Sequence, residues 1–319
     1  MDTEKLLLLN DNAPTFSFDE LVANDLIDAK HYVEITRHLQ EIHHLFLMFK
    51  YSLDNLITQY QLTSSGTILQ GEKPANTMTD FIAINTMVNT IISAGKTLID
   101  AMTCYIKENL VTSNPNQKKH LAFCSYVYDN SFAYRFLLRL RDYSQHGHLP
   151  VSKCEDWYGF DLYQIKDKPH YHHNAQVKQQ IDNAVKEIID IYKDVPKLSL
   201  VMTIAEYIPQ LASVYKHFFD CVEDDLTHAT AAFTTIVSKY PQNIHKTDEC
   251  QASLFFYDLE DDMAHATILE ENPLPMLSDF RDEAETFWNT YTKLWDDLKS
   301  GMLIFRIVDK DCLEISCFD

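Results

Sequence analysis

The sequence predicts a mainly α protein: a helical bundle with long antiparallel helices and a small C-terminal α+β portion. Three observations carry this expectation. Apolar residues recur at three- and four-residue steps over long stretches, Gly is scarce at six in 319 residues, and strand-like alternation is confined to the region after Pro241.

Over residues 29–60 the apolar positions are Tyr32, Ile35, Leu39, Ile42, Phe46, Phe49, Leu53, Leu56 and Tyr60, the seam of a long bundle helix. A polar loop with Gly66, Gly71 and Pro74 should follow. Phe81, Ile84, Val88, Ile91, Gly95, Leu98, Met102 and Tyr105 then repeat the spacing, introduced by Thr77 and Asp80 as a capping pair. Gly95 falls on the seam, either to let another helix approach closely or as a tolerated helix Gly costing about 1 kcal/mol. A third helix is expected over 117–146, opened by Asn114-Pro115 and closed by Gly147 and Pro150.

Residues 152–173 read as a loop, and helices are expected near 174–193 and 197–238, the latter broken or bent at Pro209. Gln251 to Tyr257 suits a strand and 279–299 a helix. Met302–Val308 and Leu313–Phe318 suit a strand pair joined by the Asp309–Asp311 turn. The expected organisation is a helical bundle over 1–165, further helices packed on it over 166–248, and the α+β portion over 249–319.

Charge narrows the function classes. Asp plus Glu is 47 against 27 Lys plus Arg, a formal charge of −20 that repels nucleic acid and anionic lipid unless a local basic island exists. Neither GxGxxG nor GxxxxGK[ST] is present, which excludes the common nucleotide cradles, and no GxSxG is present either. Seven scattered Cys without a CxxC pair argue against a disulfide framework or zinc knuckle and suit a reducing, cytoplasmic setting. No stretch reaches about 18 uninterrupted apolar residues, so no membrane partner is expected.

The segment Tyr134 to His148 carries the chemistry. Three of the six Arg in the chain stand at 135, 139 and 141, and between residues 116 and 153 six Lys and Arg face two Asp. This is the basic island. At roughly 100° per residue, Arg135, Arg139, Asp142 and His146 form one polar stripe, while Phe132, Ala133, Phe136, Leu137 and Leu140 face the core. Arg141 flanks that core with Tyr134 and Gln145. An imidazole can move protons near neutrality, and a guanidinium can grip phosphate oxygens and neutralise charge in a transition state.

Arg141-Asp142-Tyr143-Ser144-Gln145-His146 resembles the Arg-x4–6-His motif of the HEPN superfamily, and Arg139 to His146 fits with six intervening residues. The resemblance covers about residues 29–150. It implies a short helical bundle, a homodimer whose motifs face each other across a cleft, and metal-independent cleavage of RNA to a 2′,3′-cyclic phosphate, in a defence or stress role. In that reading His146 is general base or acid, Arg141 or Arg139 holds the phosphate, Asp142 fills the polar position, and Tyr143 or His148 assists. No cofactor or metal is required, and a regulatory protein partner is compatible. The sequence departs from some HEPN toxins at His148, where they carry Tyr.

Other constellations point elsewhere. A non-catalytic helical interaction module would use the basic island to dock an acidic partner. Glu41-Ile42-His43-His44 has the Glu-x-x-His spacing of metal-dependent bundle oxidases, with Glu34 and His38 nearby, but only Asp225–His228 and Asp262–His265 resemble the second half of such a set. The solvated flank of a helix is its plainer reading. His170, His172 and His173 lie in a loop segment without neighbouring Cys or carboxylate ligands. Trp157, Tyr158, Phe160 and Tyr163 could stack on bases, although burial of a loop against the bundle explains them more simply.

Overall fold

A computed structural model describes residues 5–8, 17–19, 23–70, 78–109, 115–153, 158–166, 175, 178–179, 181–183, 186, 197–239, 252–258, 263–269, 274–300, 303–309 and 312–317. In chain order, β1 (Lys5–Leu8) and β2 (Ser17–Asp19) precede α1 (Ala23–Gln70), α2 (Met78–Asn109), α3 (Pro115–Asn130) and α4 (Phe132–Gln145). Then come β3 (Ser152–Lys153), β4 (Tyr158–Asp161), α5 (Leu162–Lys166), β5 (Lys197–Ser199) and α6 (Leu200–Lys239). The chain closes with β6 (Ala252–Asp258), β7 (Met263–Leu269), α7 (Leu274–Ser300), β8 (Leu303–Asp309) and β9 (Cys312–Cys317). The protein is mainly α with a small α+β portion.

Two compact units divide the chain, one of residues 42–218 with 283–319 and one of residues 1–41 with 219–282. In the larger unit the seam positions form the core: Ile42, Phe46, Phe49, Leu53 and Leu56 of α1, and Ile84, Val88, Ile91, Leu98, Met102 and Tyr105 of α2, are all buried. Each such side chain contributes about 1.5–3 kcal/mol on burial. Phe46 stacks on Tyr215 of α6 at 4.2 Å and meets Phe287 of α7 edge-on at 5.3 Å. Gly95 is the close approach that the seam suggests, since a Cβ there would run into the Tyr207 hydroxyl of α6. By length and composition α2 could cross a membrane, and its seam residues are buried within this unit.

The expected helix over 117–146 is two helices. Ser131 breaks it with extended backbone (φ −115°, ψ 119°) and caps α4, its Oγ accepting from Tyr134 N at 3.2 Å and donating to Glu206 Oε1 at 2.9 Å. Residues 152–173 are not simply a loop either. Strand β4 lies between β3 and β5, pairing antiparallel with both, and Asp161 Oδ1 caps α5 by accepting from Tyr163 N and Gln164 N at 3.0 and 3.1 Å. Phe160 and Tyr158 are buried there, with Phe160 edge-on to Phe136 at 5.4 Å, which supports the burial reading for these two, whereas Tyr163 is exposed. Strands β8 and β9 pair antiparallel from Leu303↔Cys317 to Asp309↔Cys312, as the sequence suggests.

In the smaller unit Tyr32 of α1 stacks on Phe233 of α6 at 4.1 Å, and Ala29, Ile35, Leu39, Val222, Leu226 and Ile236 are buried. Arg281 Nη2 meets Glu223 Oε2 at 2.8 Å, and this guanidinium holds the Glu223 carboxyl below its ordinary range. Its sheet has the order β2-β1-β6-β7 with every pair antiparallel.

Several elements depart from expectation. Strands β1, β2 and β7 are not expected from the sequence: β1 is held by β6 from far along the chain, and β2 and β7 are edge strands paired only with β1 and β6, so sheet context more than local alternation stabilises them. Helix α1 runs through Gly66 to Gln70, and α6 continues through Pro209. Proline forfeits one backbone hydrogen bond, and the flanking Ile208, Leu211 and Ala212 are buried, so packing sustains the helix there. Thr77, Gly71, Pro74, Trp157 and the His170–His173 cluster lie outside the described residues. Of the expected helix over 174–193, residues 175, 178–179, 181–183 and 186 are described, all of them helical.

Candidate functional site

Helix α4 presents the Arg–His segment. Its start is fixed by Ser131, and its end by Gly147, whose φ of 85° suits Gly and whose N–H donates to Ser144 O at 3.1 Å. The chain beyond is then held by Asn85 of α2, a residue the sequence reading passed over. Asn85 Oδ1 accepts from Val151 N at 2.9 Å and its Nδ2 donates to Val151 O at 3.2 Å, so a buried amide fixes the strand-like exit after His146 and His148. A lone polar residue beside the apolar seam, at Asn85 next to Ile84, is the only sequence signal for it.

Phe136 and Leu140 are fully buried, as the helical wheel requires. Arg139 and Asp142 are half-buried and His146 is exposed at the helix end. Arg139 Nε donates to Tyr128 Oη at 3.3 Å. Arg141 is half-buried, and Gln145, with its amide oxygen turned toward the guanidinium, accepts from Arg141 Nε and Nη2 at 3.2 and 3.3 Å. Tyr143 is buried and stacks on His148 with ring centroids 4.7 Å apart. Burial, and then the nearby Asp161 carboxylate, pushes the Tyr143 hydroxyl above its ordinary pKa.

Arg135 does not belong to the exposed stripe. It is 1% exposed, its Nη1 donates to Asp129 O at 3.3 Å, and its guanidinium lies 5.5 Å from the Tyr128 ring centroid. The N-terminal half of α4 is packed on all sides, with Ala133 to Leu138 buried without interruption, so a face that is polar on the wheel is interior here. Lys118 and Lys119 of α3 remain exposed.

Glu34, Glu41 and His44 are exposed on α1, as a solvated helix flank would be. His43 is buried, with Nδ1 2.9 Å from Tyr215 Oη and Nε2 3.6 Å from Glu283 Oε2. A cavity of about 470 Å³ opens between α1 and α2, lined by Leu45, Met48, Asn89 and Ser93 among others, and none of the Arg–His residues lines it.

Sequence reasoning also passed over a second cluster. His120 of α3 and His217 of α6 bring their Nδ1 atoms to 3.3 Å, and Cys124 Sγ stands 3.4 Å from His120 Nε2. Its signal is a twice-used spacing, His120-x3-Cys124 and His217-x3-Cys221, which sets both residues of each pair on one helix face. Comparison with protein-family models, curated proteins and solved structures yields no match for this chain.

Proposed function

We propose that the chain is a HEPN-like endoribonuclease that cuts RNA without a metal ion, as a cytoplasmic homodimer serving defence or stress response. The observation that carries this reading is the exposed imidazole of His146 at the end of α4, one helical turn beyond the half-buried Arg141 and Asp142 in the basic segment of an acidic chain. In the reaction His146 takes the proton of a ribose 2′-hydroxyl, the 2′-oxygen attacks the adjacent phosphorus, and the 5′-oxygen leaves with a proton supplied by an acid across the cleft. Arg141 or Arg139 balances the charge on the phosphoryl oxygens. Tyr143, buried against His148, acts by positioning that second imidazole. The test is cleavage of single-stranded RNA by the purified chain in chelator, with 2′,3′-cyclic ends in the products and loss of cleavage in His146→Ala.

A second reading has a specific observation behind it. Leu47, Met48 and Tyr51 are exposed on α1, and both Arg139 and Arg141 already meet neutral partners within the fold. These features suit a non-catalytic interaction module. Absence of cleavage, together with binding to a protein partner that survives His146→Ala, would select it.

A further inference from the structure

We infer that the groove between α1 and α2 binds a second copy of this chain, the two copies meeting about a two-fold axis beside Asn89. The groove, about 470 Å³ in volume, lies wholly within the unit of residues 42–218 and 283–319. Leu45 and Met48 form one side of it, and Thr86, Asn89, Thr90 and Ser93 the other. On α2 these positions share one helix face, which Ile82, 55% exposed, continues by a further turn. On α1, Met48 and Tyr51 stand out at 60% and 71% exposure. The small side chains of α2 let a neighbouring helix come close, and the long ones of α1 have the size to fill a groove. One surface thus carries both groove and ridge, which is what an isologous interface requires.

Charge selects the occupant. Between Phe81 and Gly95 α2 has no Asp, Glu, Lys or Arg, and neither has α1 between Ile42 and Phe49, in a chain with 47 acids and 27 bases. Lys50, next along α1, is already paired with Glu283 at 2.8 Å. A basic partner would find no carboxylate to meet on this face, and an acidic partner no base. Two copies, each of net charge −20, repel one another and meet with least repulsion where no acid lies. Asn89 is the second argument. Its Oδ1 is buried and finds no hydrogen-bond donor among the described residues, an unfavourable state for an amide. A primary amide is its own complement, because it offers an N–H donor and a C=O acceptor along one edge. Two Asn89 side chains related by a two-fold, each turned about its soft terminal torsion, exchange two N–H···O bonds. A single Asn at a helix contact fixes register and oligomer state in coiled coils by the same means.

The inference rests on neither reading of the Arg–His segment, and its test does not read RNA cleavage, so the two fail separately. The full-length chain is sedimented over a concentration series. The expected result is a dimer whose dissociation constant falls as salt rises, because salt screens the repulsion between acidic copies. Thr90→Glu and Met48→Lys, both at exposed positions, should each weaken the dimer about 100-fold or more with the melting curve unchanged. Met48→Lys serves as the second readout should Thr90→Glu misfold. Asn89→Ala should weaken it about tenfold. An equimolar mixture of Thr90→Glu and Thr90→Lys should dimerise again, since the two-fold sets position 90 near its own copy. A chain monomeric at every concentration, a dimer indifferent to both Thr90→Glu and Met48→Lys, or a mixture that fails to recover would overturn the inference. A monomer that floats with neutral phosphatidylcholine vesicles would also overturn it and give this face to a lipid surface.

Discussion

The Tyr207 hydroxyl occupies the space that a side chain at position 95 would need. That hydroxyl is buried and has no hydrogen-bond partner, and burial drives its pKa well above the ordinary phenol value. Gly95→Ala therefore overpacks the contact between α2 and α6 and should cost about 1–3 kcal/mol in denaturant unfolding. Tyr207→Phe removes an unsatisfied polar group and should be neutral or stabilising. In the Tyr207→Phe background the Gly95→Ala penalty should shrink; an unchanged penalty would mean that the ring, not the hydroxyl, sets the spacing.

Arg135 should behave as a structural residue. Truncation to Ala leaves a cavity in a closed environment and should cost about 2–5 kcal/mol, while Met, of similar length and without charge, should be tolerated or stabilising. Asp129 is more than half exposed at 58%, so Asp129→Asn should change stability little. Thermal melts of the three variants check this ordering, and a large loss in Arg135→Met would show that the guanidinium itself is needed.

Acid should destabilise the protein between about pH 6.5 and 4. In the native state His120 stays neutral until its lowered pKa of about 4, whereas in the unfolded chain it takes a proton near 6.5. The unfolded state thus binds more protons across this window, and stability falls as pH drops through it, by up to about 3 kcal/mol. Below the window both states are protonated and the loss stops. His43, whose pKa is lowered chiefly by burial, contributes in the same direction. His120→Gln should flatten most of the slope in urea titrations run at successive pH values; a slope unchanged from wild type would locate the titrating group elsewhere.

What was legible in the sequence follows from what is local. The α1 and α2 seams were readable because a helix buries residues at its own period, and Ile42 through Leu56 and Ile84 through Tyr105 all lie inside. The split at Ser131 was also written in the chain, as a capping residue between two helical runs, but the apolar period continues across it and masks the break. Burial of Arg135 was not legible, because a wheel assigns faces to one helix alone and cannot show that neighbours close around the start of α4. The His120–His217 pair depends on two segments 97 residues apart, so only the repeated His-x3-Cys spacing hinted at it.

The ribonuclease reading meets its sharpest test at His146. Its side chain is exposed at the end of α4, and a His in that place adds at most about 1–2 kcal/mol through the helix dipole, so His146→Ala should keep the wild-type fold and melting curve within a few degrees. Removal of a general acid or base should nevertheless lower cleavage about 100- to 10,000-fold. The two arginines separate by their partners. Arg139→Ala abandons Tyr128 and Arg141→Ala abandons Gln145, so each loses a neutral hydrogen bond of comparable worth, about 0.5–1.5 kcal/mol. Similar stability losses then allow their rates to be compared directly. If the four-residue spacing operates, Arg141→Ala should be the slower enzyme, and if the six-residue spacing does, Arg139→Ala should be. Equal rates in all three variants and wild type, with the fold intact, would remove catalysis from this helix and leave the interaction module.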